Sequence, residues 1–170
     1  MRAVVQRVAQ ASVTGGGKTA AIGKGLCVLV GITHDDTKDD SDYLIKKLLS
    51  LRLFGSDSGP DRSDPVPDVV EEKAPSTQRW TSSVVDIQGE ILLVSQFTLH
   101  AVYKGSKASF HRAMPGAESE AMFYGMSERL RQQYNVEAVK DCVFGSDMNV
   151  SLVNVGPVTL ILDSKQPKGG

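Results

Sequence analysis

The stretch Ile91-Leu92-Leu93-Val94-Ser95-Gln96-Phe97-Thr98-Leu99 runs from four unbroken aliphatic residues into small polar ones. A strand with one wet face alternates apolar and polar side chains, whereas a short continuous apolar run fits a strand covered on both faces. Its far end emerges where hydroxyls (Ser95, Thr98), an amide (Gln96) and free backbone N–H groups can meet a ligand. Leu26-Cys27-Val28-Leu29-Val30-Gly31-Ile32 is a second run of the same kind.

Around these two runs the rest of the chain falls into order. Val4 to Val13 alternates apolar with polar residues and Thr14-Gly15-Gly16-Gly17-Lys18 can turn, so the Leu26 to Ile32 run is expected as the second strand of a β-hairpin. From about Asp40, residues Tyr43, Leu44, Leu48 and Leu51 recur at helical spacing, behind an acidic first turn and ahead of Lys47 and Arg52. A second helix is expected from about Ala117 to Tyr134, with Phe123, Met126, Leu130 and Tyr134 on one stripe, followed by strands at Val136 to Phe144, Met148 to Val153 and Val158 to Leu162. Two strands, two strand–helix units and three closing strands make an α/β fold, expected as a single layered domain (sheet/sheet/helix) over residues 1–164. A Pro-, Asp- and Ser-rich stretch at about 55–82 reads as a long surface loop pinned at its far end by Trp80. Residues 165–170, with Lys165 and Lys168, read as a flexible tail.

At 170 residues, 41% hydrophobic and 23% charged, the chain has the make-up of one globular domain, and no apolar run approaches the roughly 20 residues that span a bilayer. Gln6 and Arg7 interrupt the first apolar segment before the core of a signal peptide can form, which points to the cytoplasm. A formal net charge of -1 argues against a broad basic surface for duplex nucleic acid, yet leaves room for a small patch that holds one RNA end. Cys27 and Cys142 lack metal-site spacing and read as buried free thiols.

No ordinary catalytic constellation emerges from this inventory. Gly15-Gly16-Gly17-Lys18-Thr19 has the end of a phosphate loop without its first glycine, since Ser12 stands there, and lies between strands rather than before a helix. His34, His100 and His111 have no spacing that puts two imidazoles on one metal, and neither a metal nor a cofactor is expected. Ser95 lacks a nucleophile elbow and has no indicated base, so Ser95 to Thr98 reads as a polar cradle, with a Thr98 nucleophile as the alternative. Gly156-Pro157 divides two strand-like runs, because proline cannot donate to a ladder; it is either a turn or a device that fixes backbone carbonyls. Lys104, Lys107 and Arg112 form the best local basic patch.

Taken together, Ser95-Gln96-Phe97-Thr98-Leu99 and Asn154-Val155-Gly156-Pro157-Val158-Thr159 resemble the paired motifs of the D-aminoacyl-tRNA deacylase family, Ser-Gln-x-Thr-Leu and Asn-x-Gly-Pro-Val-Thr. Support comes from Met1-Arg2-Ala3-Val4-Val5-Gln6-Arg7-Val8, Ile22-Gly23-Lys24-Gly25-Leu26, Leu51-Arg52-Leu53-Phe54 and Phe144-Gly145-Ser146-Asp147-Met148. Two departures are visible: the 55–82 loop is longer than is typical, and Ala108 stands where many relatives have proline. Ser95 matches the D-specific branch rather than the relaxed animal branch, which has Pro-Gln there.

The resemblance implies a homodimer in which Gly156-Pro157, as a cis pair, enters the partner's site, where its carbonyls hold the substrate ammonium and leave no room for an L side chain. Glycyl-tRNA would pass the same filter. Arg7 is expected to brace the Gly-Pro element and Met148 to pack against it. Phe97 is expected to support the pocket, while Ser95, Gln96 and Thr98 line it and bind the terminal adenosine and ester of the aminoacyl-tRNA 3′ end. Lys104, Lys107 and Arg112 are the candidate tRNA contacts. The implied reaction is ester hydrolysis assisted by the ribose 2′-hydroxyl, for which the protein supplies orientation. A binding module for RNA ends or DNA, without catalysis, is the other alternative.

Overall fold

A computed structural model gives the structure of the chain over residues 1–55 and 80–166. Its main sheet is built on β1 (Arg2–Gly15), which pairs antiparallel with β10 (Met148–Asp163) along one side. Along its other side β1 pairs first with β3 (Gly25–Gly31) and then with β2 (Lys18–Ile22). The hairpin is therefore made with β2: Gly16 and Gly17, at φ of 57° and 75°, turn the chain directly into it. The Leu26 to Ile32 run follows as a separate strand after a bend at Gly23-Lys24. β3 pairs in parallel with β6 (Glu90–Ser95), and β6 in parallel with β9 (Val139–Asp141), giving the order β10-β1-β3-β6-β9.

Both unbroken apolar runs are central, and β6 is covered on each face. Ile91 and Leu93 join one cluster with Ala3, Val5, Leu26, Val28 and Val30. Leu92 and Val94 join another with Val8, Ala11, Val13, Ile22 and Cys27. Ala3 and Val5 belong to the first cluster but Ala11 and Val13 to the second, although all four have the same parity. The register shift between Val8 and Gln10 explains the switch, since one extra residue reverses strand alternation. Helices α1 (Lys38–Ser50) and α2 (Gly116–Gln133) close over the first cluster with Leu44, Ile45 and Leu48, and with Phe123, Met126 and Leu130. Each such buried side chain is worth about 1.5–3 kcal/mol of apolar burial.

Several boundaries differ from those expected. Met148 to Val153 and Val158 to Leu162 are parts of one strand, β10, which carries Gly156-Pro157 within it. Of Val136 to Phe144 only Val139–Asp141 pairs, because Asn135 to Ala138 form a turn in which the Asn135 carboxamide accepts the Glu137 N–H at 2.9 Å. Trp80, expected to pin the far end of the loop, is 45% exposed. The two ends are joined by pairing of β4 (Arg52–Phe54) with β5 (Ser82–Ser83), extended by the Thr81 N–H donating to Phe54 O at 2.9 Å. The body of that loop, 56–79, lies outside the described residues. No helix among the described residues is long and apolar enough to cross a membrane.

The start of the expected tail is anchored. Asp40, in the first turn of α1, accepts the Thr37 N–H (2.8 Å), Ser164 Oγ (2.7 Å) and Lys165 Nζ (2.9 Å). Beside it the Met1 ammonium is buried against Asp36 and donates to Ser164 Oγ at 2.6 Å. Residues 167–170 lie outside the described residues. Burial opposes ionisation of Asp40, but the bonds from Ser164, Thr37 and Lys165 outweigh it and hold the carboxyl well below the usual carboxylate range. A depressed folded-state pKa contributes stability above the unfolded value of about 3.9, and that contribution is lost as pH falls below it. Asp40→Asn should therefore lower stability at pH 7 and flatten the loss seen below about pH 4 in denaturant titrations; an acid limb unchanged from the parent's would contradict this.

Candidate active site

β6 ends at Ser95, paired with Val30, and the ladder continues for one more bond, the Gln96 N–H donating to Val30 O at 2.8 Å. The chain then folds into a 3-10 turn, Phe97–His100, stitched by Leu99 N–H to Gln96 O (3.3 Å) and continued by Ala101 N–H to Thr98 O (3.1 Å). Gly31 makes this turn fit: a Cβ there would lie 2.9 Å from Leu99 Cβ and 3.0 Å from Gln96 O. Arg2 holds the turn from the other side, donating from Nη1 to Leu99 O at 2.7 Å and from Nη2 to Asp163 at 3.0 Å. Gly31 and Arg2 were not singled out from sequence; a glycine closing an apolar strand was the available signal for the first.

Beside the turn lies a cavity of about 430 Å³ lined by Ser95, Gln96 and Phe97, by Phe110 and Met114, by Ser119 at the start of α2, and by Phe144. Phe97 and Phe110 meet edge to face, centroids 5.1 Å apart, so the wall has exposed aromatic surface that suits a flat ring. Thr98 does not line the cavity. It is exposed, and its hydroxyl accepts a bond from Gln96 Nε2 at 2.7 Å, an amide that cannot take up a proton. His100 follows in the same turn, its pKa lowered mainly by burial, with Nε2 unpartnered among the described residues. Burial pushes the Cys27 thiol up to about 11, which removes it as a nucleophile at neutral pH. Among the described residues no cluster of three or more His, Cys, Asp or Glu is placed to hold a metal.

The second motif is a large bulge. In the β1–β10 ladder Gln6 faces Thr159 and Val8 faces Asn154, so Arg7 alone stands opposite the four residues 155–158. The surplus is thrown out as a loop with a closed neck: Asn154 Nδ2 donates to Thr159 Oγ1 (2.8 Å), and the Val158 N–H donates to Asn154 Oδ1 (3.2 Å). Arg7 fills the gap, giving Nε and Nη2 to Val155 O (3.3 and 3.2 Å) and Nη1 to Leu53 O (2.6 Å). Burial lowers its pKa, without threatening the charge of a guanidinium. Gly156 sits at φ +115°, where a Cβ would also lie 2.8 Å from Arg7 Nη2, and the Gly156-Pro157 bond is cis. Val155, Gly156 and Pro157 are exposed.

A sequence model of the family described as D-Tyr-tRNA(Tyr) deacylase matches residues 4–163, nearly all of the chain. The chain belongs to this family. Among its relatives, D-aminoacyl-tRNA deacylase 1 of Bos taurus is 45% identical over 168 residues, 98% of this chain and 72% of that protein. D-aminoacyl-tRNA deacylase of Schizosaccharomyces pombe is 42% identical over 98% of this chain and 100% of its own. A solved structure titled c-Myc DNA Unwinding Element Binding Protein superposes with a TM-score of 0.80 at 44% identity, covering 96% of this chain and 98% of that one.

Set against the family expectation, Ser95, Gln96 and Phe97 come together on the cavity, and Arg7 meets the Gly156 loop. Other members are apart within one chain. Gly156 and Pro157 do not line the cavity, and Met148 pairs with Gly15 at the far end of β10, about 25 Å of strand away from Gly156. Lys104 and Lys107 face each other on the hairpin of β7 (Val102–Lys104) and β8 (Lys107–Ser109), and Arg112 is exposed near the cavity rim. Asn154 and Thr159, which tie the neck, were not among the expected site residues. Because both φ and space at Gly156 exclude a side chain, Gly156→Ala should disturb the loop while the main sheet persists: deacylation kcat/KM should fall at least tenfold with far-UV circular dichroism unchanged. Full activity in that variant would remove the loop from the site.

Proposed function

We propose that the chain hydrolyses the ester joining a D-amino acid to the 3′ end of tRNA, as a cytoplasmic homodimer that proofreads chirality. The carrying observation is the cavity beside Ser95, Gln96 and Phe97, walled by aromatic rings and, among the described residues, lined by no carboxylate or imidazole. Such a site can seat the terminal adenine and orient the ester, but none of its described lining residues is a general base. The ribose 2′-hydroxyl of the substrate is then the group that assists the attacking water, and positioning supplies several kcal/mol of the barrier lowering. Thr98 as a nucleophile is disfavoured because the hydrogen-bond partner of its hydroxyl among the described residues is an amide.

The placement of the second motif supports the dimer. Gly156-Pro157 stands outside its own chain's cavity, on β10, which is a sheet edge of 16 residues with Val150, Val153, Val155 and Ile161 exposed. A long apolar edge is a template for a second copy. Inserted there, the loop places its fixed carbonyls against the substrate ammonium, and a tightly packed wall rejects an L side chain while glycine passes. Apolar clusters on the two faces of β6 support the sheet/sheet/helix order of layers.

D-tyrosyl-tRNA should be cleaved and L-tyrosyl-tRNA spared; cleavage of neither, or of both equally, rejects the proposal. A substrate ending in 2′-deoxyadenosine should react far more slowly, whereas Thr98→Ala should keep turnover within about tenfold of the parent, since only orientation is lost. The named DNA association of the 44%-identical structure favours a binding-only reading as the rival, which predicts complexes without release of amino acid. Sharing of the site between copies is testable by mixing Gly156→Ala with Gln96→Ala, each expected to be impaired alone. Mixed dimers have one intact site and should recover partial activity; no recovery after subunit exchange would place the loop in its own chain's site.

A further inference from the structure

The β7–β8 hairpin grows out of the cavity wall: it begins after His100, and one residue beyond its end is Phe110, which lines the cavity. Three of its features lack an internal purpose. Tyr103 is 73% exposed, the most exposed of the large apolar side chains among the described residues, and faces only Ala108 across the ladder. Lys104 faces Lys107 directly, an arrangement of like charges that destabilises a strand pair. Neither ammonium has a carboxylate partner among the described residues. The hairpin therefore spends stability on an exposed ring and two unpaired cations at the mouth of a site for a nucleotide.

We infer that this hairpin is the platform for the single-stranded nucleotides just 5′ of the terminal adenosine, with a base stacked on Tyr103 and phosphates drawn to the Lys104–Lys107 pair. The inference rests on the reading of the cavity as the adenosine site. Alternation puts Tyr103 and the lysines on opposite faces of a two-stranded ribbon, so the RNA strand crosses the ribbon at its Gly105-Ser106 tip, base to one side and phosphate to the other.

Binding of the tetranucleotide 5′-ACCA-3′ and of adenosine, measured separately by calorimetry, tests the platform without any chemistry. The tetranucleotide should bind more tightly. Tyr103→Ala should weaken it by about tenfold, Tyr103→Phe should restore it, and adenosine binding should change in neither variant. Lys104→Ala should reduce the salt slope of tetranucleotide binding by about 0.7. Equal affinity for the two ligands, an unchanged tetranucleotide in Tyr103→Ala, or an equal loss for adenosine would each overturn the inference. A protein that binds through Tyr103 yet cleaves neither D- nor L-tyrosyl-tRNA upholds the platform and rejects the deacylase; cleavage of the D-ester with KM unaffected in Tyr103→Ala does the reverse.

Discussion

β6 has parallel neighbours on both sides and apolar clusters on both faces, so it can present chemistry only where it stops. That constraint locates the first motif. The carboxyl ends of parallel strands open into a crevice, and here the crevice is entered by a single further ladder bond before the chain turns away. The turn can lie close against β3 only because position 31 carries no side chain. Everything that defines the cavity, from Ser95 to Phe110 and the start of α2, is arranged around that strand end.

The second motif depends on a different economy. Four residues are extruded opposite one, and the backbone groups freed by the mismatch must find partners or lose the equivalent of unmade hydrogen bonds. Arg7 meets much of that need with one planar group, and by reaching Leu53 it also ties the loop to the β4–β5 pair. Lysine, a point charge without a fixed fork, cannot serve two carbonyls in set directions.

The central strands were legible because continuous apolar runs have few alternative readings, and both helices emerged from stripes whose middle residues, Leu44, Leu48, Phe123, Met126 and Leu130, are buried. The break between β2 and β3 was hidden by the hairpin turn, which predicts one return strand whether or not that strand bends. Gly156-Pro157 was legible as an anomaly from residues alone, and its partners were not: Asn154, Arg7 and Thr159 meet only once the register places one residue against four. Ser95, Gln96 and Phe97 were legible as neighbours in sequence. The cavity they share with Phe110 and Phe144 was not, since those rings arrive from distant segments.

The Gly156 loop is held open by main-chain atoms and the side chains that grip them, while the residues at its crest face outward. A surface of this kind is insulated from mutational drift. Replacing the Val155 side chain leaves the backbone of the crest untouched, so changes in the shape of the loop must pass through the few residues that set it: Arg7, Asn154, Gly156, Pro157 and Thr159. Such a lineage can diversify most of its sequence while the shape of one short backbone segment stays fixed.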